Sequence, residues 1–140
     1  MPVVAGSTRF QPVYVVDVVQ AIVASLANPA VFGGQTYELG GPRVYAFRDL
    51  IGWIMREVRA DKSLVEVPDF VAGMMARVGN FVPGAPMTSD QWTMLQSDNV
   101  ANGLGLSAFG IEPTPLEAVA PTYLERYRTG GRFHRDRIAS

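Results

Sequence analysis

The 140-residue chain contains no cysteine, which excludes disulfides and thiolate-based metal sites outright. Histidine occurs once, at His134, inside a polar C-terminal stretch rich in arginine. A zinc site would therefore need mostly carboxylates, and no cluster of them is visible in the sequence. A Ser-His-Asp arrangement built on His134 would need a rigidly held nucleophile and orienting acid, which a polar tail does not supply. Excess charge is missing too. The net charge of −1 lacks the concentrated basic surface that nucleic-acid binding requires. No apolar run approaches the ~20 residues of a membrane helix. The start, Met1-Pro2-Val3-Val4-Ala5-Gly6, has neither the basic flank nor the long apolar region of a signal peptide, so a cytoplasmic protein is expected.

What is present is an apolar, globular composition: 48% hydrophobic and 18% charged residues, enough for one domain with a real core. The organising stretch is Arg9–Gly41. Pro12–Val16 is a continuous apolar run that reads as a buried strand. Asp17 occupies an N-cap position for a helix carrying Val18, Val19, Ile22, Val23 and Leu26 and ending at Asn28-Pro29. A Gly33-Gly34 turn leads to a second strand, Gln35–Leu39, which Gly40-Gly41 ends. Strand–helix–strand is the grammar of an α/β protein. At most three strands are legible, too few for a parallel sheet to cover itself, so either the chain builds an unusual small sheet or, the favoured reading, it is the C-terminal part of a longer chain whose main sheet is missing.

Downstream, Phe47–Arg59 has helical spacing with Ala46 at the N-cap, and Leu64–Val67 reads as a short strand. Asp69–Val78 reads as a helix weakened by Gly73, and Asn80–Pro86 as a loop. Thr88 opens a capping-box spacing with Gln91. Residues 99–113 form a glycine-rich loop pinned by Leu106, Phe109 and Ile111. The last helix has Thr114 as N-cap, Pro115 at N1 and Glu117 at N3, with Leu116, Val119, Ala120, Tyr123, Leu124 and Tyr127 as its buried stripe. Gly130-Gly131 ends it, and residues 132–140 form the polar tail of this single domain.

Chemistry is sparse. The glycine pairs lack the spacing of dinucleotide or P-loop motifs. The only lysine is Lys62, and Val58 stands four residues before it, so no Tyr-x-x-x-Lys pair exists. No acid–base pair emerges. The candidate ligand contacts are Arg9, Gln11 and Tyr14 around the first strand, and Arg43 just after the second, because ligands of open α/β sheets bind outside the carboxyl ends of strands. The C-terminal arginines Arg126, Arg128, Arg132, Arg135 and Arg137 read as a solvated helix end.

Four blocks, RFQPVYVVDVVQAIVASL, GGQTYELGGPRVYAFRDLI, PMTSDQWTMLQSDNV and FGIEPTPLEAVAPTYLERYR, resemble the C-terminal third of extended and atypical short-chain dehydrogenase/reductases. The likeness is greatest to the family of NAD(P)H-binding accessory subunits of respiratory complex I. It implies the last strand–helix–strand of a Rossmann-like sheet plus a small helical lobe, an α/β or α+β fragment. It further implies that NAD(P) belongs to the full-length protein and that this segment holds no cofactor alone. In sugar-nucleotide relatives a phosphate-binding arginine falls at the position of Phe10, and this departure argues against such a substrate. Asp17, Gly40, Gly41, Thr114, Pro115 and Glu117 are then structural. The implied partners are the upstream Rossmann half and complex I subunits, with peripheral attachment to the inner membrane through that complex. The implied role is structural or in assembly; the rival is the substrate-binding lobe of a reductase, epimerase or dehydratase. An isolated segment with an open strand edge at Pro12–Val16 is expected to self-associate.

Overall fold

Gly6, Thr8 and Arg9 begin the framework by pairing with segments far along the chain, as the computed structural model of residues 2–60, 63–68, 70–74 and 89–128 shows. Strand β1 (Pro2–Val3) runs parallel to β4 (Val65–Glu66), with Val67 N–H donating to the Val3 carbonyl at 2.9 Å. Strand β2 (Arg9–Phe10) runs antiparallel to β3 (Tyr45–Ala46), pairing Arg9 with Ala46 and Phe10 with Tyr45. On its other side β2 meets Asn99, which donates to Arg9 and accepts from Gln11 at 2.8 and 3.0 Å. The result is mixed helix and small sheet. The expected α/β character holds at that coarse level.

The expected strand at Pro12–Val16 does not form. Helix α1 spans Val15–Ala27, and Tyr14, in extended conformation, is its N-cap. A buried strand needs ladder partners on both sides, and among the described residues nothing pairs with Pro12–Tyr14. With that ladder absent, the open strand edge expected there is absent as well. The expected strand Gln35–Leu39 is also irregular, held by one backbone bond from Glu38 to the Leu104 carbonyl, 2.9 Å. Asp17 lies inside the first turn of α1, not at its cap. Its carboxylate accepts from the Thr114 N–H and hydroxyl, at 2.7 and 2.9 Å, so a distant partner displaces the local one. The end of α1 is as expected: Asn28 stops it and Pro29 starts the short helix α2 (Pro29–Phe32).

Helix α3 (Phe47–Glu57) begins after Ala46 as the spacing predicts and ends two residues early, where Arg59 adopts a positive φ of 55°. Residues 70–74 are helical, and Trp92 of α4 (Ser89–Met94) lies over Gly73, 3.5 Å from where a Cβ would stand. Ala72 is buried there among Val4, Val67, Trp92 and Leu95. The remainder of the Asp69–Val78 helix, the Asn80–Pro86 loop, the Thr88 cap, the Gly130-Gly131 stop, His134 and the 132–140 tail lie outside the described residues.

The glycine-rich loop carries a 3-10 turn, Leu106–Phe109, closed by Gly110 at a positive φ of 67°. Leu106 is buried, and the Phe109 ring stacks on Phe32 and Tyr37 at centroid distances of 4.7 and 4.6 Å. Helix α5 (Leu116–Leu124) starts one residue later than expected, with Pro115 at its cap and Thr114 outside it. Pro121 lies within α5 and offers no N–H to its ladder, and the chain tightens to 3-10 at Glu125–Tyr127. Arg128 is no solvated helix end: it bonds the Glu57 carbonyl at 3.1 Å and pairs with the Glu57 carboxylate, tying the turn that follows α5 to α3.

Candidate functional site

The described residues form a cleft of about 300 Å³ where the first turn of α1 meets α5. Pro12, Tyr14 and Val15 form one wall, and Leu116, Val119 and Tyr123 the other. Its position follows from the Asp17–Thr114 bonds, which bring the starts of the two helices together at one end of each. The walls are apolar apart from the Tyr14 and Tyr123 phenols and Thr114, whose hydroxyl is bonded to Asp17. The Tyr14 hydroxyl is raised above its ordinary value of 10.0, first by its interaction with the Tyr123 hydroxyl and then by desolvation. Tyr123 was expected in the buried stripe of the last helix, yet it is exposed and serves the cleft rim. The signal for this was its chemistry: a tyrosine in an apolar stripe brings a hydroxyl that needs a polar partner.

The other three candidates are bound to protein partners. Arg9 forms an ion pair with Asp98 at 2.7 Å, and its backbone N–H donates to the same carboxylate at 2.8 Å. These bonds hold the Asp98 carboxyl below its ordinary 3.8. Gln11 donates to the Gly41 carbonyl at 2.7 Å and accepts from the Ala101 N–H at 3.0 Å, bracing two loops against β2. Gly40 and Gly41 are what permit this approach. A Cβ at Gly40 would stand 2.5 Å from the Gln11 side chain, and one at Gly41 would stand 1.9 Å from the Pro12 carbonyl oxygen.

Arg43 pairs with Glu117 at 3.2 Å and lies 5.8 Å from the centre of the Tyr45 ring, while the Tyr45 hydroxyl donates to the same Glu117 oxygen at 3.0 Å. Glu117 sits in the first turn of α5, where its own backbone N–H, then the Tyr45 hydroxyl, lowers its carboxyl below the ordinary 4.5. Burial, then Glu117, raises the Tyr45 hydroxyl above 10.0. Of the four candidate ligand contacts only Tyr14 lines the cleft, which Thr114 and Pro115 also help to line; Arg9, Gln11 and Arg43 each serve a separate junction between segments. Among the described residues no group of three His, Cys, Asp or Glu side chains is placed to hold a metal ion, and no helix is long and apolar enough to cross a membrane.

No family model matches the chain. It is 35% identical over 137 residues to an Arabidopsis thaliana protein, NADH dehydrogenase (ubiquinone) 1 alpha subcomplex subunit 9, mitochondrial. That match covers 90% of this chain and 34% of the relative. The Rattus norvegicus protein of the same name is 34% identical over 122 residues, covering 85% and 32%. A 40 kDa subunit of Neurospora crassa NADH-ubiquinone oxidoreductase, mitochondrial, is 27% identical over 128 residues, covering 89% and 34%. The chain is a homologue of this subunit 9 family. It spans about a third of the length of the curated relatives it matches.

Proposed function

We propose that this chain is the C-terminal portion of a complex I-associated subunit and that its role is structural: it stabilises or helps assemble the NADH:ubiquinone oxidoreductase to which its homologues belong. The observation that carries this reading is the 35% identity across 90% of the chain to a subunit of that enzyme. The site is consistent with it. Arg9, Gln11 and Arg43 are engaged in holding segments together, and the cleft walls offer two phenols with no acid–base pair. In this reading NAD(P) belongs to a Rossmann half that the relatives' remaining length supplies, and the chain is held at the membrane peripherally, through its partners. A tagged copy expressed in its source organism should comigrate on native gels with NADH dehydrogenase activity, and its deletion should reduce the amount of assembled complex. Migration of the tagged protein apart from that activity, with assembly unchanged on deletion, would overturn the proposal.

The rival reading is a substrate-binding lobe of an NAD(P)-dependent reductase, epimerase or dehydratase. The cleft favours it, because Tyr14 and Tyr123 are polar tips in a mostly apolar pocket. Under that reading Arg9, Gln11 and Arg43 contact substrate only after leaving the partners they hold here. Turnover by a full-length parent that falls in Tyr14→Phe while complex assembly is unaffected would support it over the structural role.

A further inference from the structure

Helix α1 is turned the wrong way for a helix of an isolated domain. Its buried positions are Asp17 and Ala21, a carboxylate and a methyl group, while Val15, Val16, Val19, Ile22, Val23 and Leu26 are between 41% and 78% exposed. At 100° per residue those six side chains fall within a stripe about 120° wide, and Asp17, Ala21 and Ser25 fall on the opposite side. Small and polar residues, with half-buried Val18 beside them, face the rest of this chain; the six large branched residues above face outward. The stripe also continues into the cleft, since Val15 belongs to both. An apolar surface of that extent marks an interface.

We infer that the outward face of α1 is the docking surface for the part of the subunit that this chain lacks, the two thirds of the relatives' length with no counterpart here. The inference rests on the reading of the chain as a portion of a larger subunit. The matches cover 85–90% of this chain but only 32–34% of the Arabidopsis and rat proteins. In those relatives the corresponding segment is therefore joined to roughly twice its own length of additional polypeptide. The stripe has the composition of a domain core cut in half: six aliphatic side chains and no charge among them. Gln20 stands just outside its edge. Such a surface suits a permanent intramolecular contact better than a transient polar one.

The absence of cysteine makes the test direct. Val19→Cys and Ile22→Cys are made singly in the 140-residue chain. They are also made in a chimera in which this chain replaces the matched third of the Arabidopsis relative, with that protein's other cysteines changed to serine. Maleimide labelling rates are normalised to the same protein unfolded in urea. The expected result is rapid labelling in dilute 140-residue chain and at least a tenfold slowing in the chimera. Equal rates in the two would overturn the inference. So would slow labelling of the 140-residue chain that depends on its concentration and is not deepened in the chimera, because the occupant would then be a second copy. Should the chimera misfold, a cysteine at the residue aligned with Ile22 in the otherwise cysteine-free Arabidopsis protein gives the same readout: protected supports the inference, reactive overturns it. None of these arms involves the assembled enzyme complex. Protection without comigration would leave this docking surface standing while the complex-associated role failed.

Discussion

The Asp17 carboxylate, buried in the first turn of α1, takes both the backbone N–H and the hydroxyl of Thr114, 97 residues further along the chain. One side chain thereby fixes where the last helix begins relative to the first. Both oxygens of a buried carboxylate are satisfied by one residue, which is why neither group serves as the helix cap that local spacing implies.

Removing that clamp should loosen the fold. Asp17→Ala leaves the Thr114 N–H and hydroxyl without their acceptor, and a loss of about 2–3 kcal/mol is expected from urea unfolding. Thr114→Val removes one of the two bonds and should cost about 1 kcal/mol. The double variant should lose less than the sum, and strict additivity would show that the two side chains do not act as a pair.

Gly41 should tolerate no side chain. Its Cβ would stand 1.9 Å from the Pro12 carbonyl oxygen, a backbone atom that moves only if the start of α1 moves. Gly41→Ala is expected to destabilise by about 2 kcal/mol or more, whereas Gly103→Ala, whose nearest neighbour is the Glu38 side chain at 3.9 Å, should be near neutral. Equal thermal midpoints for the two variants would contradict this packing.

Acid should weaken the junctions at Asp98 and Glu117. Both carboxyls are lowered in the folded chain, Asp98 chiefly by Arg9 and Glu117 chiefly by its own backbone N–H. A lowered carboxyl adds stability that is present above its unfolded value and drains away as pH falls through the folded one. The window therefore lies below the ordinary values of 3.8 and 4.5. Carboxyl titration followed by NMR should place both groups below those values, and Arg9→Ala should return Asp98 towards 3.8 while leaving Glu117 in place. Because both side chains are exposed, the effect on overall stability should be small and should shrink with added salt.

The phenol pair gives a test at the other end of the pH scale. Tyr14 is raised first by Tyr123, so Tyr123→Phe should bring the Tyr14 titration back towards 10.0. Ultraviolet absorbance of the tyrosinate, with Tyr14→Phe as the assignment control, reads this directly. An unchanged Tyr14 titration in Tyr123→Phe would mean that the two hydroxyls do not face each other across the cleft.

Local chemistry made several elements legible in the sequence. Ala46 opens α3 and Asn28-Pro29 closes α1 because each depends on neighbours within a few residues, while Val65–Glu66 and the anchors Leu106 and Phe109 were legible as short apolar patterns although their partners lie far along the chain. The likeness to complex I accessory subunits was legible as well, and homology bears it out. Of the candidate site, the sequence brought Tyr14 to notice but not its partner Tyr123, nor the Asp98 and Glu117 carboxylates that occupy Arg9 and Arg43. Those pairs join residues more than 70 positions apart, and no local spacing encodes them.

What the sequence by itself determined is composition and local preference: a cysteine-free apolar chain, the helix stops, the turns that need glycine, and the residues apolar enough to seek cover. Tertiary structure decided the rest. Whether Val15 and Val16 lie in a strand or a helix depends on a ladder partner, and without one the helix wins because its hydrogen bonds are internal. Whether Asp17 caps its own helix or clamps another depends on where Thr114 arrives. The outward turn of Val19, Ile22 and Leu26 depends on the same packing, since the face of α1 that meets this chain is the one bearing Asp17 and Ala21.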